Sequence, residues 1–247
     1  MNAHADLCTP IGELARADAT LLPIFERFGL DYCCRGRDTL AEACLRAGVD
    51  LAQVLGAIAE EPRPEHVPPH DSMTVLCDQI EATHHAFARQ CFDRLDHLIP
   101  KIAEVHGPSS PGLTELSLVY ADLREEMLDH MVREERVLFP WLRRLEAPHR
   151  LESGPPWSVR RPIDCMIHDH DRVAAAFARI RALTSPERLP VNACLSITAA
   201  VSTLRELERD THLHIHKENN ILFPAGVAAE KAKAAIRTRT PAQGATP

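Results

Sequence analysis

The 247-residue sequence predicts an all-α protein, with a small N-terminal helical domain followed by an antiparallel four-helix bundle. Three observations predict it. No segment alternates apolar and polar residues with β-branched enrichment, and Phe, Trp and Tyr make up only 4% of the chain, so strand signals are nearly absent. Four long helical stretches are separated by short Gly/Pro/Ser breaks, which suits antiparallel neighbours. A His/Glu/Leu/Phe/Pro pattern also recurs at one offset, so the bundle is expected to be two similar helical hairpins.

Residues 1–60 are expected to form the N-terminal domain from three short helices. The first runs through Leu21, Leu22, Ile24, Phe25 and Phe28 and is ended by Gly29. The second follows Asp38-Thr39, and the third follows Asp50, an N-cap before Leu51, Val54, Leu55 and Ile58. Residues 61–70 hold Pro62, Pro64, Pro68 and Pro69, which favours an extended, stiff linker. The bundle is expected over 71–235, with helices near 71–105, 112–146, 160–183 and 190–235, and a disordered tail over 236–247.

With 28 Lys+Arg against 35 Asp+Glu, the formal net charge of −7 gives no general attraction to phosphate backbones or anionic lipid. Neither nucleic acid nor a membrane is expected as a partner. No stretch approaches the roughly 20 apolar residues of a membrane span, and the first residues do not resemble a signal peptide. A cytoplasmic location follows as the expectation, and there most of the eight cysteines stay reduced. Cys44, Cys77, Cys91, Cys165 and Cys194 sit among apolar neighbours and are expected to pack.

The repeat carries the chemistry. His130-Met131-Val132-Arg133-Glu134-Glu135-Arg136-Val137-Leu138-Phe139-Pro140 matches His214-Ile215-His216-Lys217-Glu218-Asn219-Asn220-Ile221-Leu222-Phe223-Pro224 at an offset of 84 residues. On a helix, residues four apart share a face, so each H-x-x-x-E unit offers an imidazole nitrogen and a carboxylate to one point. A carboxylate can bridge two cations, which makes Glu134 and Glu218 candidate bridges and His130 and His214 candidate terminal ligands. This N/O set suits iron, manganese or zinc. An isolated H-x-x-x-E is most often a solvated pair; two copies running into the same Leu-Phe-Pro point to a site.

The first helix of each hairpin should complete it. His85 lies 45 residues before His130, and His170 lies 44 before His214. With the first turn centred near residue 109, His85 and His130 fall at one level, whereas His106 lies about 31 Å further along helix one, at the bundle end. His84 is the alternative to His85. The E-x-x-H pattern of ferritin-like bundles occurs at Glu81/His84 without a repeat partner and fits poorly. His168, His212 and His216 flank the candidate ligands and, with His84, are candidates to hydrogen-bond them. His66, His70, His97 and His149 are expected in the linker or near helix ends.

Asp31-Tyr32-Cys33-Cys34-Arg35-Gly36, followed by Thr39-Leu40-Ala41-Glu42-Ala43-Cys44, resembles the N-terminal module of the repair-of-iron-centres family, also called the ScdA/YtfE type. The bundle resembles that family's hemerythrin-like domain, and the likeness runs from about residue 10 to 230. It implies a non-haem di-iron centre with two irons per chain, held by His85, His130, Glu134, His170, His214 and Glu218. The family's first-helix histidine falls on His85, supported by Arg89. Its Glu-His-Asp falls on Asp169-His170-Asp171, which shortens the carboxylate beside His170 and puts any role it has around the metal in doubt.

The function implied is repair of iron–sulfur clusters after nitrosative or oxidative damage, by supplying iron. Damaged iron–sulfur proteins are the implied partners, and NO or O₂ the small ligands. The alternatives are an NO-reducing di-iron enzyme and an O₂ or NO sensor or carrier. A homodimer is compatible with the sequence. Cys33 and Cys34 are the candidates for redox exchange or iron transfer, and neighbouring Arg35 and Arg37 are expected to favour their thiolates.

Overall fold

The computed structural model describes residues 8–60, 72–147, 158–191 and 193–239, so the linker at 61–70, with His66 and His70, and His149 lie outside the described residues. Among the described residues there are helices and no strand, with one isolated bridge between Pro10 and Thr39. The N-terminal part contains α1 (Ile11–Ala17), a 3₁₀ turn (Ala19–Leu21), α2 (Leu22–Arg27), α3 (Leu40–Ala47) and α4 (Leu51–Glu60). This is one helix more than the sequence suggests. Asp18 is extended and its side chain accepts from Thr20 N–H, so the chain breaks there and Ile11–Ala17 becomes a helix of its own. Thr39 and Glu42 form a reciprocal capping box on α3, and Gly48 closes it at φ 69°, a backbone angle that disfavours any side chain with a Cβ.

The bundle comprises α5 (Met73–Gln79), continued through a π turn (Ile80–His85) into α6 (Ala86–His106), then α7 (Pro111–Arg133). A second π turn (Glu134–Leu138) leads into α8 (Phe139–Glu146). Next come α9 (Arg160–Leu183) and α10 (Leu195–Lys217), and a third π turn (Glu218–Leu222) leads into α11 (Phe223–Arg239). Helix α11 passes the expected end at 235 because Ala228–Ala235 is built from Ala, Lys and Glu, all strong helix formers; residues 240–247 lie outside the described residues. Helix α10 begins at Leu195 rather than near 190, since Cys194 before it is extended.

Helix α6 packs on α10 and on α7, and α7 packs on α9. The α5 start is tied down from across the bundle: the Glu146 carboxylate accepts from Ser72 Oγ and from the Met73 and Thr74 N–H groups, satisfying donors that a helix start leaves open. Two apolar layers fill the interior. One contains Ala88, Met127, Met131, Val173 and Ile215 together with Phe25, Leu40 and Val54 of the N-terminal part. The other contains Ile80, Leu138, Phe139, Met166, Leu222 and Phe223. Along all four bundle helices the change of layer falls at one level, and polar residues occupy it.

Candidate metal centre

That level holds His85, His130, Glu134, His170, His214 and Glu218, all buried. Their donor atoms form two groups, His85/Glu134/His214/Glu218 and His130/Glu134/His170/Glu218, each with all four atoms within 4.8 Å of one another. Both carboxylates belong to both groups. His130 Nε2 and His170 Nε2 stand 3.2 Å apart, a separation suited to two nitrogens about 2.0–2.1 Å from one ion. On the other side, His85 Nε2 lies 3.3 Å from Glu134, and His214 Nε2 lies 3.1 Å from Glu218.

The His85–Glu134 and His214–Glu218 approaches are not aligned as hydrogen bonds. Among the described residues, seven buried side-chain nitrogen or oxygen atoms lack a hydrogen-bond partner; six are His85 Nε2, His214 Nε2 and both oxygens of Glu134 and Glu218. Burying such atoms unpaired costs about 1–3 kcal/mol each and more when charged. A cation resolves that cost, so the residues present fit a pair of metal ions. Burial acts to raise the pKa of both Glu134 and Glu218, and the Glu218 charge adds to this at Glu134, yet the surrounding imidazoles leave both lowered. Burial drives the His214 imidazole well below its usual range, while His130 is raised to about 10 against its own burial by Glu134 and Asp169.

The repeat continues outward from these six. His85 Nδ1 is 2.7 Å from Glu135 Oε1, which also accepts from Arg89 at 2.8 Å, and His170 Nδ1 is 3.0 Å from Asn219 Oδ1. Glu135 and Asn219 are themselves 84 residues apart, so each hairpin uses the same position to hold Nδ1 of the histidine opposite and turn its Nε2 inward. Phe139 and Phe223, at the same offset, stack on His85 and His170 with interplanar angles of 12° and 2°. The π turns at Glu134–Leu138 and Glu218–Leu222 repeat in register, each setting its carboxylate at the start of a widened turn. Sequence reasoning missed Glu135 and Asn219, which the repeat would have matched by position though not by residue type.

The remaining expected residues divide. His84 stacks on His214 at 5.6 Å, with Nδ1 on Asp210 and Nε2 on Lys217. Asp169 approaches His130 rather than its neighbour His170, at 3.5 Å, and pairs with Arg133 at 3.0 Å. His216 lies against Asn220 and edge-on to Tyr32, where the N-terminal part meets the bundle. His106 ends α6 beside Cys194, remote from this level. His97 and His168 are exposed, and so is Cys165, which was expected to pack.

The N-terminal part is docked on the bundle, with Cys33 and Cys34 next to α9 and the Asn pair. Asn219 Nδ2 donates to the Cys33 carbonyl at 3.2 Å, Asn220 Nδ2 donates to Tyr32 and Cys33 carbonyls, and Cys34 Sγ lies 3.9 Å from the His170 carbonyl. A Cβ at Gly12 or Gly36 would meet Asn220 Oδ1 at 2.5 or 2.2 Å, so only glycine lets the loop close around that side chain. The thiol environment differs from the expectation. Arg35 and Arg37 are exposed, whereas Cys33 Sγ faces Cys34 Sγ and Asp31. Hydrogen bonding to Cys34, burial and the Asp31 charge hold the Cys33 thiol well above the ordinary range.

Paired His/Glu units on the second and fourth helices of an antiparallel bundle, with shared buried carboxylates, define a hemerythrin-type cation-binding bundle. Residues 75–226 match the Hemerythrin HHE cation binding domain, and residues 8–61 match a domain of unknown function, DUF542, found at the N-terminus of ScdA. The chain is 31% identical over 209 residues to iron-sulfur cluster repair protein ScdA of Staphylococcus haemolyticus, covering 81% of this chain and 89% of that one. It is 31% identical over 227 residues to iron-sulfur cluster repair protein YtfE of Dickeya chrysanthemi (89% and 97%) and 32% identical to YtfE of Escherichia coli O157:H7 (90% and 97%). The chain belongs to the ScdA/YtfE family. No helix among the described residues is long and apolar enough to cross a membrane.

Proposed function

We propose that this protein supports the repair of iron–sulfur clusters damaged by nitrosative or oxidative stress, holding two irons between its four bundle helices and supplying iron to damaged iron–sulfur proteins in the cytoplasm. One observation carries the di-iron part: two four-residue groups share both Glu134 and Glu218, and the oxygens of those carboxylates have no other hydrogen-bond partner. In this reading His85 and His214 would hold one iron, His130 and His170 the other, and Glu134 and Glu218 would be shared between them. When bound, the pair would supply redox-active iron, and NO or O₂ would be its small ligands.

The chain's own groups account for the rest. Glu135, Asn219 and the stacked Phe139 and Phe223 hold the imidazoles in place, and the apolar layers above and below exclude water from the carboxylates. The repair reading is supported by the relatives, which are named iron-sulfur cluster repair proteins, and the redox or transfer role of Cys33 and Cys34 by the place of Cys34 Sγ against the His170 carbonyl and of the Cys33 carbonyl on Asn219.

Anaerobic reconstitution followed by metal analysis and Mössbauer spectroscopy tests the centre, with two coupled irons per chain expected. Glu134→Ala or Glu218→Ala should lower occupancy of both positions together while helicity survives. Zinc in place of iron, or unchanged coupling in both variants, overturns the assignment. Cluster rebuilding on an apo ferredoxin-type acceptor tests the repair role, and steady-state nitrous oxide formation with a reductant, without iron donation, would replace it by NO reduction.

A further inference from the structure

Among the described residues, the metal centre leaves one chelating group unused. Asp31, Cys33 and Cys34 bring three ligand-type atoms within 4.8 Å of one another, outside the bundle centre and with no residue in common with it. Their spacing is that of a coordination polyhedron. Two sulfurs each about 2.3 Å from a tetrahedral ion stand about 3.8 Å apart, and Cys33 Sγ and Cys34 Sγ are 3.9 Å apart. A sulfur and a carboxylate oxygen on the same ion stand about 3.5 Å apart, and Cys33 Sγ and Asp31 Oδ1 are 3.3 Å apart.

The oxygen is held ready. Asp31 Oδ1 accepts from the Cys34 N–H at 2.9 Å and from the Arg35 N–H at 3.3 Å, which fixes the carboxylate over the two thiols. Access is also present. Asp31 and Cys33 line a cavity of about 490 Å³ between the N-terminal loop and helices α9 and α10, whose walls include Glu26, Glu208 and His212. A cation held here can therefore keep a fourth position on the open side, the arrangement of an exchanging site rather than a closed structural one.

We propose that Asp31, Cys33 and Cys34 form a second cation site, selective for thiophilic divalent ions such as Fe²⁺ or Zn²⁺ and open to exchange through this cavity. Binding forms two metal–sulfur bonds and one metal–oxygen bond; each sulfur that takes the ion gives up its proton to solvent, and no electron is transferred. A cysteine binds the ion as its thiolate, so the ion displaces a proton at each sulfur and affinity rises with pH. That the site is a stopping point for iron on its way to or from the bundle rests on the proposed repair function; the binding itself does not.

The test is an anaerobic Co²⁺ titration of the reduced, metal-free full-length protein. The bundle centre offers only nitrogen and oxygen, so sulfur-to-cobalt charge-transfer absorption in the near ultraviolet reports cysteine ligation outside it, and the serine variant assigns that ligation to Cys33 and Cys34. One thiolate-ligated Co²⁺ per chain is expected, absent in Cys33→Ser/Cys34→Ser and retained in Glu134→Ala/Glu218→Ala. Asp31→Asn should weaken it at least about tenfold, no less than the loss of a group merely hydrogen-bonded to a ligand. No such band in the wild-type protein, or a band that survives the double serine change, overturns the proposal. Should the serine variant fail to fold, X-ray absorption on the wild-type complex decides, with two sulfurs on one cobalt population supporting the site and none refuting it. Lost cluster rebuilding with the band intact would sink the repair reading and leave the site standing, whereas rebuilding without the band would do the reverse.

Discussion

Replacing Asn219 by alanine removes the side chain that touches both a candidate ligand and the cysteine loop. It leaves His170 Nδ1, 2% exposed as a residue, without its 3.0 Å partner, while the Cys33 carbonyl keeps a longer bond to Asn220 at 3.4 Å. The first loss dominates, and an unsatisfied buried donor costs about 1–3 kcal/mol. In a protein of this size that lowers Tm by roughly 2–4 °C per kcal/mol. The same imidazole becomes free to rotate, and loss of such a partner typically weakens metal binding about 10–100-fold, equivalent to about 1.4–2.8 kcal/mol. The two routes give the same size of effect.

Asn219→Asp separates the two contacts. Aspartate keeps an acceptor for His170 Nδ1, as Glu135 does for His85, but gives up the donor to the Cys33 carbonyl. Chelator competition should therefore show weakened iron in Asn219→Ala and nearly normal iron in Asn219→Asp. Amide hydrogen exchange over residues 8–60, which reads docking of the N-terminal part, should quicken in both. Wild-type iron affinity in Asn219→Ala would refute the claim that this position orients the ligand, and unchanged exchange in both would refute its part in docking.

His85→Ala should abolish binding at one position of the pair, whereas His106→Ala, altered beside Cys194 at the far end of α6, should leave the iron spectrum unchanged; a strong spectral loss in His106→Ala would refute the level argument. Glu146→Gln should destabilise the fold by about 1 kcal/mol, the usual worth of a helix-start acceptor, read as a lower urea midpoint at neutral pH. Burial acts to raise the folded Glu146 carboxyl, but the Thr74, Ser72 and Met73 donors together leave it lowered, so its contribution is complete above the ordinary carboxylate range and disappears as pH falls through the folded value. The wild-type advantage over Glu146→Gln should shrink below about pH 4; a constant difference down to pH 2 would contradict the cap.

The offset between His130 and His214 made the bundle and the symmetry of its centre legible, because residue identity and helical spacing agree there. What lay beyond reach was chemistry that repeats without repeating letters. Glu135 and Asn219 differ in charge yet accept from equivalent imidazoles, and Phe139 and Phe223 read as plain core until their rings are seen on His85 and His170. The π turns were hidden for another reason: a single widened turn moves the following residues by only one position, and an i, i+4 pattern survives it.

The cysteine loop shows where sequence neighbours mislead. Arg35 and Arg37 flank the thiols along the chain, and charge alone would make thiolates of them. The loop instead folds about the Asp31 carboxylate, which draws in the Cys34 and Arg35 N–H groups, and both guanidinium side chains are left in solvent. Closing the loop onto Asn220 requires Gly12 and Gly36, residues far apart in sequence that meet at one side chain of the bundle. The same docking that ties the Cys33 carbonyl to Asn219 sets Cys34 Sγ against the His170 carbonyl, so docking of the N-terminal part and the environment of its thiols are one structural event. A substitution that disturbs either should be visible at the other, which is why hydrogen exchange over residues 8–60 and thiolate-bound cobalt are complementary readouts of a single interface.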